Sequence, residues 1–136
     1  MQEWLVPYVS TVWALGMSGA LFLIQLLVAD LAGIQARHRP GTPVEAEHGE
    51  FLFRATRAHA NTNESIAAFI LLVLFGVLSA ASPGWLNALS WVYVVARVAH
   101  MVCYYAGFRL SRSVAFGVSL AALLGMLVVG VSAWAP

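Results

Sequence analysis

Lysine is absent from the 136 residues, and cysteine occurs once, at Cys103. A lone thiol excludes an intrachain disulfide and a cysteine-based zinc site. Charge is scarce too, at 10% of residues, where an ordinary soluble chain carries about a quarter. Seven arginines against six acids leave a net charge of +1, too little for a surface that tracks nucleic-acid phosphates, so nucleic acid is not an expected partner. What is abundant is apolar side chain, 61% of the sequence, with a mean hydropathy of +0.82. Such a surface needs lipid as its solvent. A hydrocarbon core of about 30 Å takes roughly 20 apolar residues per helical span, so residues 1–136 hold one domain of four spans and no soluble domain.

Four apolar segments separate along the chain. Each exceeds the length of a barrel strand and lacks strict alternation, which predicts an all-α integral membrane bundle. The expected helices run from about Val9 to Ile34, Phe51 to Ala81, Trp85 to Gly107 and Ser111 to Trp134. The stretch QARHRPGTPVEAEHGE forms the one substantial loop, because its prolines and glycines break helix. Ser82-Pro83-Gly84 stops the second helix, and Phe108-Arg109-Leu110 joins the last two. The start, MQEWLVPYVSTVWALG, has Glu3 and no cation before its apolar run, so the first helix reads as mature protein rather than a cleaved signal.

Arginine distribution sets the expected orientation. Arg37, Arg39, Arg54, Arg57, Arg109 and Arg112 lie in or beside the first and third loops, whereas the second loop and both ends have none. The positive-inside bias therefore places those two loops in the cytoplasm and both termini outside. Trp4, Tyr8, Trp85 and Trp134 fall at the opposite ends, where amphipathic rings favour the headgroup layer. On the fourth helix Ser113, Gly117, Ala121 and Gly125 recur every four residues, a small-residue stripe that is expected to serve helix packing.

Polar residues inside the spans carry the functional signal. Arg54, Arg57, Asn61 and Glu64 fall within a sector of roughly 80° on the second helix, and Tyr93, Arg97, His100 and Tyr104 within roughly 60° on the third. Counted from the arginine-rich ends, Glu64 lies about 18 Å deep and Arg97 about 15 Å. An isolated ion at that depth costs at least about 2.5 to 3.5 kcal/mol. The expectation is a Glu64–Arg97 ion pair lining a polar cleft that opens to the cytoplasm. Cys103 reads as a small buried hydrophobe rather than a nucleophile paired with His100. His38, His48 and His59 share no face, which argues against a metal site.

The segment Arg54-Ala55-Thr56-Arg57-Ala58-His59-Ala60-Asn61-Thr62-Asn63-Glu64 resembles the R-x-x-R-A-x-x-N-x-x-E signature of the MAPEG family, the membrane-associated proteins in eicosanoid and glutathione metabolism. Arg97-Val98-Ala99-His100, Tyr104 and Arg112-Ser113 are similar to the third and fourth helices of its prostaglandin E synthase branch. The resemblance is specific over residues 51 to 116. It implies a homotrimer of four-helix protomers, of bacterial type and in an inner membrane, with glutathione held between subunits near the cytoplasmic side for detoxification chemistry. By the family pattern Arg57, Asn61 and Glu64 contact the tripeptide's charged ends and backbone, Arg54 belongs to the same signature, and Arg97, His100 and Tyr104 support the cleft. Arg112 and Ser113 approach the thiol, and Arg37 reaches it from a neighbouring subunit.

A free thiol has a pKa of about 8.5, and a neighbouring guanidinium, which stays charged, favours the thiolate. The implied function is a glutathione-dependent transferase or peroxidase acting on a lipophilic electrophile. Departures from the pattern limit that transfer. Phe53 replaces the usual Glu, Ala60 and Phe116 replace an Arg and a Tyr, and Tyr105 competes with Tyr104 for alignment because the Tyr104–Arg112 spacing is one residue short. Two other readings stay open: a catalytically silent thiol-binding or structural membrane protein, and a small proton-coupled transporter.

Overall fold

The computed structural model describes residues 3–135. A 3₁₀ turn, Glu3–Tyr8, leads into α1 (Val9–Gln35), followed by α2 (Phe51–Leu78), α3 (Pro83–Ala106) and α4 (Arg109–Ser132). All four helices are long and apolar enough to cross a membrane, and the chain is an integral-membrane helical bundle. Large apolar side chains point outward along every helix, among them Leu23, Leu71, Val95 and Val128. Helices α2 and α3 form the centre, each packing on both α1 and α4, and α1 and α4 barely meet.

Three of the helix ends share one device. Arg37 (φ 52°), Ala80 (φ 51°) and Gly107 (φ 80°) all adopt the left-handed conformation just beyond α1, α2 and α3. The next residue's N–H then turns back to the helix: His38 to Gly33 O, Ala81 to Gly76 O and Phe108 to Cys103 O, each at 2.8 to 3.0 Å. These bonds satisfy carbonyls that a helix end leaves orphaned. They also correct two boundaries. Helix α2 ends at Leu78 rather than Ala81, because Ala80 takes the capping role that glycine usually fills, and α4 begins at Arg109 rather than Ser111, because Gly107 completes the turn early.

The core changes character along the bundle axis. Toward the tryptophan-rich end it is apolar, with Phe69, Val73, Leu86, Tyr93, Val94, Ala122, Leu123 and Met126 in one cluster, and the Phe69 and Tyr93 rings stacked 4.2 Å apart. Hydrogen bonds bind this end: Tyr8 Oη to Ala81 O, Thr11 N and Oγ1 to Asn87 Oδ1, Trp91 Nε1 to Ser10 Oγ, and Trp134 Nε1 to Ser79 Oγ. At the arginine-rich end a smaller cluster joins Ala29, Ala32 and Ala55. Between the two clusters, Ser18, Gln25, Thr62, Arg97 and His100 are buried.

Close helix approach rests on glycine, and the stripe expected from sequence takes part only through Gly125, where an added Cβ would lie 3.1 Å from Leu89. Ser113, Gly117 and Ala121 face outward, and a Cβ on Gly117 would meet nothing within 4 Å. Helix α4 instead packs through Ala115, Ser119, Ala122, Met126 and Gly130, because that face carries the side chains able to fill the gap to α2 and α3. At Gly76, which is buried, an added Cβ would lie 2.9 Å from both Leu86 methyls, and Leu86 is itself fully enclosed. Gly76→Ala is therefore expected to lower stability by about 1 to 3 kcal/mol through overpacking, while Gly117→Ala leaves it unchanged. Thermal unfolding of the two variants in detergent checks this contrast.

Candidate functional site

The residues that sequence places on α3 do share one buried face. Tyr93, Arg97, His100 and Tyr104 are all at most 7% exposed and turn toward α2. The facing surface of α2 is not the expected one. Ala55, Ala58, Thr62 and Phe69 are buried, whereas Arg57 and Glu64 are exposed. Helix α2 is thus turned by one residue, about 100°, from the orientation that would bring its charged stripe onto α3. The cause lies in its apolar half. Burying Phe69, Val73 and Gly76 fixes the helix rotation, and the same face continues through Thr62, Ala58 and Ala55 at helical spacing.

The expected Glu64–Arg97 ion pair is consequently not formed. Arg97 is fully buried and donates from Nη2 to Thr62 Oγ1 at 3.0 Å, with its Nε and Nη1 unpartnered. Glu64 faces away from the bundle with no ion-pair partner among the described residues. Tyr93 is bonded instead to Ser65, at 2.8 Å.

Nearer the arginine-rich end, α2, α3 and α4 enclose a cavity of about 240 Å³ lined by Asn61, His100, Tyr104, Arg112, Ser113 and Phe116. The guanidinium of Arg112 lies 4.3 Å above the Tyr104 ring, a cation–π contact that holds it over the opening. His100 meets Tyr104 edge-on at 5.0 Å, which stiffens the same wall. Asn61 Nδ2 donates to Tyr104 Oη at 3.3 Å and to Arg57 O at 2.8 Å. Ser113 Oγ donates its proton back to Arg109 O at 3.2 Å, leaving its lone pairs at the cavity. Asn61 also continues the outward stripe of Arg57 and Glu64, so cavity and stripe form one polar surface that opens on the side of the protomer.

Five of the expected site residues, Asn61, His100, Tyr104, Arg112 and Ser113, therefore come together. Arg97 sits beneath them, in the core. Arg57 and Glu64 flank the cavity on the outer face. Arg54 lines a different cavity, and Arg37 caps α1 at an exposed position that reaches neither. The competing tyrosine is excluded from the site: Tyr105 packs on Phe51, 5.5 Å between ring centres, and against the Ala29–Ala32–Ala55 cluster. Cys103 faces an apolar groove between α3 and α4, away from the polar cavity.

Sequence reasoning passed over Ser18 and Gln25 on α1, whose side-chain polar atoms are buried without partners, and over Thr62 and Ser65. The signal was present. Thr11, Ser18 and Gln25 step by seven through an otherwise apolar span, and polar residues on one face at membrane depth mark an interior surface.

Losing Thr62 Oγ1 removes the one hydrogen-bond acceptor that the buried Arg97 side chain has among the described residues. Thr62→Val is expected to cost about 1.5 to 3 kcal/mol, the scale of a hydrogen bond to a charged group. A double-mutant cycle between Glu64→Gln and Arg97→Met is expected to give a coupling below about 1 kcal/mol, where breaking a buried ion pair would cost about 3 to 5. Both are read from unfolding in detergent.

Comparison with protein families returns a match to the one described as the MAPEG family, over residues 10–132. No curated protein matches the chain.

Proposed function

The chain belongs to the MAPEG family, and from that premise we propose that it is a membrane-embedded glutathione-dependent transferase or peroxidase. The observation that carries this reading is the cavity in which the Arg112 guanidinium and the Ser113 hydroxyl stand side by side, continuous with the Arg57–Asn61–Glu64 stripe. The donor set fits the tripeptide. Its two carboxylates call for cations, its ammonium for an anion and its amides for a two-way hydrogen-bonding group. Arg57, Glu64 and Asn61 supply a cation, an anion and an amide along one helix face, and neither Arg57 nor Glu64 forms an ion pair among the described residues.

Glutathione supplies a nucleophilic sulfur when bound. The protein's own part is electrostatic. Arg112, fixed over the Tyr104 ring, favours a negative charge at the cavity. Ser113 redirects its proton from the Arg109 carbonyl toward that charge. Asn61 and His100 set the depth of the cavity, and Phe116 gives it an apolar wall for a lipophilic co-substrate.

An outward-facing carboxylate at membrane depth also bears on assembly. Glu64 cannot be left to hydrocarbon, so the stripe is covered by another copy of the chain. A homotrimer with the tripeptide between subunits completes the site, with Arg37 contributed by the neighbouring protomer. By the positive-inside bias the site opens to the cytoplasm.

Arg112→Ala is expected to lower kcat/KM for conjugation of an electrophilic aromatic about 100-fold, the scale of losing one charge-stabilising donor. Equal rates in wild type and variant would remove Arg112 from the chemistry. Glu64→Gln is expected to weaken glutathione binding, measured by calorimetry, while leaving thermal stability in the absence of thiol unchanged. Binding at wild-type strength would show that Glu64 does not meet the ammonium.

A further inference from the structure

A second polar cavity, of about 210 Å³, lies beside the first at the arginine-rich end and is lined by His48, Gly49, Arg54, Gly107, Arg109 and Arg112. Three guanidinium groups and an imidazole surround it, and no carboxylate does. The acids of the neighbouring loop are sorted elsewhere: Glu45, Glu47 and Glu50 line a separate cavity together with His38. None of the three arginines forms an ion pair among the described residues. Like charges gathered around one small space repel, and no carboxylate among the described residues lines the cavity to offset that repulsion.

The arrangement is also held in place. Arg54 Nη1 donates to the carbonyls of His48 and Gly49, both at 2.8 Å, while its Nε is buried without a partner. Arg112 is fixed by Tyr104. Gly107, at φ 80°, makes the turn that brings the start of α4 to the cavity, and α4 has no side-chain cap on its first N–H groups. Uncapped N–H groups at a helix start add positive potential on the same side. Planar guanidinium forks match the oxygens of a phosphate group.

The surroundings select the source of that phosphate. Phe108 and Leu110, on either side of Arg109, are 62% and 80% exposed. Two bare apolar side chains flanking a free cation at the end of a membrane-spanning helix set the cavity at the junction of acyl chains and headgroups. We propose that this cavity binds the phosphate of an anionic phospholipid headgroup, with Arg54, Arg109 and Arg112 as its cationic walls. The site is distinct from the thiol pocket and does not depend on the reading given above, although Arg112 borders both cavities. A lipid seated there places a negative charge on the far side of Arg112 from Ser113.

The test uses the full chain in detergent, with thermal unfolding followed as phosphatidylglycerol, phosphatidylcholine or inorganic phosphate is added. Phosphatidylglycerol is expected to raise the wild-type Tm saturably and phosphatidylcholine far less, with the effect shrinking as salt is added. Arg109→Gln, an exposed change, is expected to keep the lipid-free Tm and to weaken the apparent phosphatidylglycerol affinity about fivefold. His48→Ala is expected to weaken it in the same direction. Equal responses to the two lipids, or variants that respond like wild type, would overturn the proposal. A phosphate shift as large as that of phosphatidylglycerol, lost in Arg109→Gln, would overturn the lipid assignment in favour of a soluble anion. Should a variant fail to fold, native mass spectrometry of the wild type decides: retention of phosphatidylglycerol over phosphatidylcholine supports the site, and equal retention removes it.

Discussion

The rotation of α2 about its own axis governs how the polar residues are distributed. Phe69, Val73 and Gly76 must be covered in the apolar half of the bundle, and a rigid helix cannot cover them without also committing Thr62, Ala58 and Ala55 to the interior. In lipid the gain is van der Waals packing rather than escape from water, and the stacking of Phe69 on Tyr93 is worth about 0.5 to 1.5 kcal/mol. The charged stripe one position over is left at the outer surface, where Glu64 at membrane depth still calls for a polar neighbour. Apolar packing sets the angle, and the charges accept where it leaves them.

Two consequences follow for the site. Arg97 is enclosed as a core guanidinium with one hydroxyl acceptor, and the unpartnered polar atoms of Gln25 and Ser18 on α1 belong to the same buried middle layer. Arg57 and Glu64 are turned to the outside, where they meet whatever lies against the protomer. One pair of helices thus hides one charge in the core and presents its opposite at the outer surface.

Much of this was legible in the sequence. Span number, helix order and the buried face of α3 came from hydropathy and from the steps between Tyr93, Arg97, His100 and Tyr104. The signature in residues 54–64 pointed to the MAPEG family, and with the resemblance on α3 and α4 it named Asn61, His100, Tyr104, Arg112 and Ser113, which line one cavity. What could not be read was rotation. Periodicity says which residues share a face, but not which of two faces is buried when one is charged and the other is small and neutral. The Ala55–Ala58–Thr62 face is inconspicuous by composition, and only its alignment with Phe69 and Val73 reveals it. The small-residue stripe of α4 was legible only in part, since Gly125 packs on Leu89 while Gly117 and Ala121 lie on the outer face: spacing alone does not tell an inward seam from an outward one. Ala80 in a left-handed cap was likewise invisible, because that conformation advertises itself in sequence only when glycine or asparagine adopts it.

The two ends of the bundle are bound very differently. At the tryptophan end, tyrosine, threonine, asparagine and tryptophan side chains lash α1, α2, α3 and the C-terminal turn to one another over the larger apolar cluster. At the arginine end, three alanines and a handful of aromatic contacts hold the helices, and the guanidinium groups push apart. Fluctuations of such a sheaf are unequal: it stays gathered at its knot and loosens at its free tips. The widest breathing is therefore expected where Arg112 stands, as a splaying of helix ends rather than the swing of a hinged lid.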